Sequence, residues 1–275
     1  MWLEQLHLLH IIDASAFAMG FYMRQHSNNE LDSSSILCAL SMQALKNGHT
    51  CLDCTNLTLQ FPALSQLLEL INISETDSIL EHPFIGHNHL HENTLFTVCF
   101  PFIFTNKFFD LETKLIHHLA AKINPKESLV NSSNASRLAD LCSIKPLTIL
   151  SGGPGTGKTT VFAQALPHWI EGFQEEQNKI PRIILCAPTG KAAARMTESW
   201  LTQKKKFESE CTTSLATTAL PEQAITIHRL LGIQPLTRAA RFNKYNLLAV
   251  DLLVIDEASM IDLPLFEKIL DACPR

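Results

Sequence analysis

The sequence predicts an α/β chain in two parts, a smaller and mainly helical front over residues 1–110 and a parallel-sheet domain over 111–275. Three observations carry this. A glycine-rich loop follows the short apolar stretch 147–150. A second apolar stretch, 252–255, ends in two adjacent acids, Asp256 and Glu257. The charge also changes along the chain: residues 1–110 hold 3 Lys/Arg against 11 Asp/Glu, and residues 111–275 hold 19 against 16. A chain of 275 residues has room for two cores, and 46% apolar against 18% charged residues excludes a disordered tail or a fibre.

No apolar run approaches the ~20 residues that span a bilayer. Glu4, His7, His10 and Asp13 interrupt the start of the chain, which lacks the basic-then-apolar order of a secretory leader. The expectation is a cytoplasmic protein with no membrane partner. Its 8 cysteines are scattered, and read as small hydrophobes in a reducing compartment. Cys51 and Cys54 have CxxC spacing with His49 near, but no second Cys/His pair completes a zinc site.

In the front, Leu3, Leu6, Leu9, Ile12 and Phe17 recur at helical spacing. A helix is expected over 34–46, capped by Ser34 or Ser35 and ended by Asn47-Gly48, and another over 64–71. Residues 95–104 turn aromatic and β-branched, which suits a short strand or hairpin with Pro101 limiting its pairing. A helix follows over 110–122. His87, His89 and His91 alternate and would share one face of a strand, with His82 close by. A polar loop rich in His and Asn is the simpler reading, since no carboxylate or Cys completes a metal site. The segment 203–223, with Lys204, Lys205 and Lys206 followed by Thr, Ser and Ala, reads as a mobile surface loop.

The chemistry lies in the back. Residues 147–150 predict a short buried strand, followed by Gly152, Gly153, Pro154, Gly155, Thr156, Gly157, Lys158, Thr159 and Thr160, of which 152–159 match GxxxxGK[ST]. The glycines let the backbone curl so that its N–H groups face one concave volume. That nest, with the positive end of the following helix, binds polyphosphate. Lys158 would neutralise the β- and γ-phosphates of ATP, and the Thr159 hydroxyl would take a Mg²⁺ position. Pro167 is expected to end or kink the helix near Leu166. Residues 252–255 predict a buried parallel strand, with Asp256 holding Mg²⁺ through water and Glu257 orienting and deprotonating the attacking water. Strands near 147–150, 182–187 and 251–255 are expected as neighbours, with the nucleotide at their carboxyl ends.

Between these motifs, 183–196 reads as strand, turn and helix. Thr189 can cap the helix, and Pro188, Thr189, Lys191 and Arg195 then suit a nucleic-acid phosphate. Further on, Thr226 and His228 could also meet a strand backbone. Residues 137–244 hold 14 basic against 8 acidic side chains, which favours a polyanion partner. Together the motifs fit a motor that carries ATP on one side of a sheet and DNA across its face. No small-molecule acceptor site of a kinase is visible.

In this order SGGPGTGKTT, APTGKAAARM, TIHRLLG and VIDEASMIDLPL resemble the RecD family, the alpha subunits of exodeoxyribonuclease V (RecBCD), as motifs I, Ia, Ib and II of superfamily 1 helicases. The close match covers about residues 144–267. The front resembles the family's N-terminal domain more loosely, through its helical start, Gly48-His49-Thr50-Cys51-Leu52 and the aromatic strand before Glu112. The resemblance implies a P-loop NTPase with a RecA-like motor domain from about 111 onward. It implies an ATP-dependent 5′-to-3′ helicase acting on single-stranded DNA beside RecB- and RecC-like subunits, in double-strand break repair and recombination. The front would dock those subunits. The nuclease centre of that complex resides in RecB, and no nuclease motif occurs here.

The chain departs from the family pattern in two ways. The family continues past motif II into a GDxxQL segment, a second RecA-like domain and an arginine finger, which is worth ~10³–10⁵ in rate. This chain stops at Arg275, so the isolated 275-residue chain is expected to be inactive or very weak, as a fragment, a truncated product or one piece of a split protein. The alternative function on that reading is a non-catalytic nucleotide-binding and subunit-docking fragment, with an uncovered sheet edge that promotes aggregation. In addition, no Gln occurs between Gln66 and Gln164. Asn134 or Ala135 stands near where such helicases read adenine, which leaves base selectivity open.

Overall fold

The computed structural model describes residues 2–27, 33–66, 82–89, 93–122, 135–153, 156–210 and 219–274. The chain divides into two compact units, Met1–Lys114 and Leu115–Arg275, and the division falls inside a helix.

In the first unit the apolar spacing at the start builds two helices rather than one. α1 (Trp2–Leu8) stops, and α2 (Ala14–Gln25) starts afresh because Asp13 is extended and its carboxylate accepts from the Ser15 and Ala16 N–H groups at 3.0 and 2.9 Å. Leu3, Leu6 and Ile12 are buried, whereas Leu9 in the break is exposed. α3 (Ser33–Lys46) is the expected helix, but Ser34 and Ser35 lie buried within it instead of capping it. It ends at Asn47-Gly48, where Gly48 takes φ +92 and the His49 N–H donates to the Ala44 carbonyl at 3.0 Å. α2 packs closely at Gly20: a Cβ there would stand 2.6 Å from Leu3 and 2.9 Å from Ala39.

The short β1 (Leu52–Asp53) and α4 (Leu57–Gln60) follow, then a 3₁₀ turn, Pro62–Gln66, where the helix over 64–71 was expected. Residues 67–71 lie outside the described residues. β2 (Ile85–His87) pairs parallel with β3 (Phe96–Cys99), which pairs antiparallel with β4 (Phe102–Thr105), giving the sheet order β1-β4-β3-β2. The aromatic hairpin is therefore the centre of a sheet, and the Ser41 hydroxyl of α3 donates to the Ile103 carbonyl at 3.2 Å. Leu37, Leu40, Leu52, Phe96 and Ile103 fill the core, each contributing about 1.5–3 kcal/mol by burial.

His87 ends β2, and Asn88 at φ +55 breaks the alternation, so His87 and His89 do not share a strand face. His91 lies outside the described residues. His82 is buried and structural. The Phe84 N–H donates to its Nδ1 at 3.2 Å, which places the ring proton on Nε2, donating to the Met23 carbonyl at 2.9 Å. Among the described residues no group of three or more His, Cys, Asp or Glu could hold a metal, and the cysteines are free thiols.

α5 (Asn106–Ala120) runs through the division between units, and His118 Nε2 lies 3.1 Å from Asp271 Oδ1. The second unit continues with α6 (Ala135–Ile144), α7 (Lys158–Gln177), β5 (Ile183–Ala187), α8 (Gly190–Glu210), β6 (Ile225–Thr226), α9 (Ile227–Leu231), β7 (Leu252–Ile255), a 3₁₀ turn Ala258–Met260 and α10 (Leu263–Ala272). The three strands are parallel in the order β6-β5-β7, with Ile183 opposite Leu252 and Cys186 opposite Ile255. Alternation sends Ile183, Leu185, Ala187, Leu252 and Val254 into the core with α6, α7 and α8. It sends Ile184, Cys186, Leu253 and Ile255 to the opposite face with α9 and α10. Helices on both faces are what a parallel sheet requires.

Four expectations fail here. Residues 147–150 form no strand, and Ile149 is 73% exposed. A strand exists only through a partner edge, and 147–150 pair with neither outer edge of the sheet, that of β6 or that of β7. β7 itself is half-buried along its length rather than buried. Pro167 neither ends nor breaks α7. An interior Pro costs ~3 kcal/mol, offset by the burial of Ala163, Leu166, Trp169 and Ile170 on either side of it. Finally, 203–210 continue α8 instead of forming a loop, consistent with the helix preference of Lys, Gln and Glu. Residues 211–218 lie outside the described residues. Beyond them Ala219 and Leu220 are buried, the Trp200 indole donates to the Pro221 carbonyl at 2.7 Å, and the Ala224 N–H donates to the Thr197 hydroxyl at 3.0 Å.

Candidate nucleotide and nucleic-acid site

The phosphate loop curls on itself. The Thr156 hydroxyl donates to the Gly153 carbonyl at 2.9 Å, and a Cβ on Gly152 would stand 2.7 Å from that hydroxyl oxygen. Gly157 takes φ +75 at the start of α7, and its carbonyl accepts from the Val161 N–H at 2.9 Å. Lys158 arches back over the loop, its Nζ donating to the Gly152 and Gly153 carbonyls at 2.7 and 2.9 Å. An ammonium has three donors, so one remains for a phosphate oxygen. Pro154 and Gly155 lie outside the described residues. Thr159 is half-buried and Thr160 exposed in the first turn of α7, whose opening N–H groups have no helical acceptor. A glycine where a Cβ would fill the cradle and a cation across its mouth fit a polyphosphate group.

The acid pair sits at the carboxyl end of β7. The Glu257 N–H donates to Asp256 Oδ1 at 2.9 Å, and Glu257 holds φ +52. A left-handed backbone at a non-glycine residue costs ~1–2 kcal/mol and turns the Glu257 side chain away from the direction the strand would give it. Asp256 is half-buried and Glu257 is exposed.

The neighbouring strands deliver the remaining candidates to the same edge. Thr189, just past β5, caps α8 by accepting from the Ala192 N–H at 3.2 Å. Thr226 ends β6 and caps α9 by accepting from the Arg229 N–H at 3.2 Å. Ala187 lies opposite Thr226 and Cys186 opposite Ile255. Pro188, Thr189, Thr226, His228, Asp256 and Glu257 therefore all leave the carboxyl edge of one sheet. Lys191 and Arg195 are exposed one turn apart on α8. The phosphate loop is outside the sheet's pairing, and its helix α7 meets α8 through the Phe162 and Trp200 rings, 6.3 Å apart.

Sequence reasoning missed Asp251, which pins the opposite end of the sheet. Its carboxylate accepts from Lys179 Nζ and from the Arg182 N–H, each at 2.8 Å. Burial pushes this carboxyl up, but Lys179 and Arg182 outweigh it and hold it below the ordinary range. The signal was an acid standing immediately before the apolar 252–255.

A family model described as AAA domain matches residues 138–275. The chain is 37% identical over 159 residues to the RecBCD enzyme subunit RecD of Haemophilus influenzae, covering 57% of this chain and 24% of that protein. It is 31% identical over 197 residues to the RecBCD enzyme subunit RecD of Buchnera aphidicola subsp. Acyrthosiphon pisum, covering 63% and 30%. It is 35% identical over 128 residues to the ATP-dependent RecD2 DNA helicase of Deinococcus radiodurans, covering 46% and 14%. The chain thus spans less than a third of the length of each of these relatives. The matched region holds the glycine-rich loop, the acid pair and the parallel sheet between them, and on that ground the chain belongs to the AAA domain family.

Proposed function

We propose that this chain carries the ATP-binding half of a RecD-type DNA helicase motor. It binds ATP with Mg²⁺ and serves 5′-to-3′ movement along single-stranded DNA. It does so in the cytoplasm, beside RecB- and RecC-like subunits, in break repair and recombination. The observation that carries the reading is that the acid pair and two Thr-capped helix starts share one sheet edge. An ATPase without a nucleic-acid track needs only the first of these.

In this reading Gly152 to Thr160 enclose the phosphates and Lys158 bridges them. Thr159 and Asp256 would hold Mg²⁺. Bound ATP supplies the phosphoanhydride whose cleavage drives movement. Glu257 accepts the proton of the attacking water and keeps that water in line. Pro188, Thr189, Lys191, Arg195, Thr226 and His228 meet the DNA strand. The first unit, Met1–Lys114, docks the other subunits. Among the described residues no helix is long and apolar enough to cross a membrane.

The test is ATP hydrolysis by the chain with its RecB- and RecC-like subunits, with and without single-stranded DNA. DNA-stimulated turnover that disappears in Lys158→Ala supports the motor. Nucleotide binding with no response to DNA under any condition overturns it.

A further inference from the structure

Residues 223–250 contain no Asp or Glu, yet carry Arg229, Arg238, Arg241 and Lys244 in a chain of net charge −5. The end of this segment is a fixed turn. Asn243 and Asn246 exchange backbone hydrogen bonds of 3.0 and 2.9 Å. The Asn243 side-chain oxygen accepts from the Tyr245 N–H at 2.9 Å, and the Asn246 amide donates to the Arg241 carbonyl at 3.0 Å. The turn is anchored on both sides. The Arg241 N–H donates to the Leu231 carbonyl at 2.9 Å, and the N–H of buried Leu248 donates to the Ala272 carbonyl at 2.8 Å. Gly232 lies so close beneath that a Cβ would stand 2.9 Å from the Arg241 Cβ.

This scaffold holds two side chains out from the surface. Tyr245 is 86% exposed, and the Lys244 ammonium lies 5.1 Å from its ring centroid. An aromatic ring that contributes little burial, set on an anchored backbone in a stretch that carries four cations and no carboxylate of its own, complements a polyanion that also offers flat π-faces. Single-stranded DNA has both properties, whereas a duplex hides its base faces in the stack. We propose that Tyr245 is a base-stacking post for single-stranded DNA and that Lys244 holds the adjacent phosphate. The turn is anchored at the far end of α9, whose start carries Thr226 and His228. This inference rests on the DNA-motor reading and adds to it a contact that none of the four motifs contains.

The experiment measures binding of the full chain to labelled oligo(dT) and to an abasic oligonucleotide of the same length, by fluorescence anisotropy. Wild type binds oligo(dT) the more tightly. Tyr245→Ala loses about tenfold in oligo(dT) affinity and no longer discriminates the two, while Tyr245→Trp keeps the preference. Lys244→Ala weakens both oligonucleotides alike and flattens the salt dependence. Equal oligo(dT) binding by wild type and Tyr245→Ala overturns the stacking assignment and leaves the DNA reading standing. Failure of wild type to bind either oligonucleotide overturns both. Because the ring is exposed, Tyr245→Ala should melt as wild type does, so a loss of binding cannot be traced to unfolding.

Discussion

The Asp256 N–H donates to the Cys186 carbonyl at 3.0 Å, one step of the ladder past the end of β7. That bond fixes the acid pair at the level where β5 gives way to Pro188 and Thr189. On the other side of β5, Ala187 lies opposite Thr226. One central strand therefore sets the height of the acid pair and of both capped helices.

Lys158 makes two hydrogen bonds to its own loop, so its removal affects both loop shape and phosphate binding. A charged hydrogen bond contributes about 1.5–3 kcal/mol. Lys158→Ala should weaken binding of a fluorescent ATP analogue by about 10–100-fold, in a titration at fixed Mg²⁺. Unchanged affinity would mean that the loop holds phosphate through its backbone alone.

Glu257 differs from Lys158 in what it should control. Glu257→Gln keeps the size of the side chain and removes its ability to take a proton. Turnover should fall by about 10²–10⁴ with nucleotide affinity unchanged. Parallel measurement of the two quantities checks this, and a loss confined to affinity would assign Glu257 to binding. Because Asn tolerates a positive φ better than Glu, Glu257→Asn should melt no lower than wild type.

Pro167 lies within α7 and leaves the Ala163 carbonyl without its helical donor. Pro167→Ala restores that N–H and removes the ring clash, at the loss of a few buried methylenes. The net effect should be a gain of about 1–2 kcal/mol, read as a rise in the melting temperature of the second unit followed through Trp169 and Trp200. A fall would show that the Pro167 ring packs better than its helix suffers.

Asp13 ties α2 to α3. Lys46 and then the Ala16 N–H hold its carboxyl down from the ordinary 3.8 to about 2. A folded value below the unfolded one stabilises fully above about pH 4 and is lost as pH falls towards about 2. The group is exposed, so the effect is small. Asp13→Asn keeps the cap and loses the Lys46 pair. Its thermal stability should therefore depend less on pH across that acid range than wild type, by circular dichroism of both.

Two cysteines should be chemically silent in the folded chain. Burial, with Cys273 beside it, pushes the Cys186 thiol up to about 12. Burial and Asp53 push Cys54 up to about 11. Alkylation at mildly alkaline pH should spare both until denaturant is added, as peptide mass spectrometry would show, because the thiolate is the reactive form. Rapid labelling of Cys186 would mean that β5 opens readily.

Much of the site was readable because its signals are local. The curl of 152–159 depends on glycines within the loop, and the Thr189 and Thr226 caps depend on the next turn of the same helix. The hairpin around Pro101 and the helix before Gly48 were likewise visible from adjacent residues. The errors were of another kind. The apolar spacing of Leu3 to Phe17 could not reveal that Asp13 would start a second helix, nor could the serines at 34 and 35 reveal that they would be buried. Pro167 looked like a helix end because local propensity opposes it, and only packing overrides that.

The sequence by itself determined the local parts: a curled glycine-rich loop, an acid pair and two capped helices follow from residue types at short spacing. Only the tertiary structure decided which of these meet. The register of β5 with β6 and β7 brings Thr189, Thr226 and Asp256 to one edge, and 147–150 pair with no strand. Backbone hydrogen bonds to the Leu231 and Ala272 carbonyls hold Tyr245 out on its anchored turn. Strand pairing joins residues far apart in the chain, so no local pattern encodes it, and it settles only when both faces of the sheet are packed.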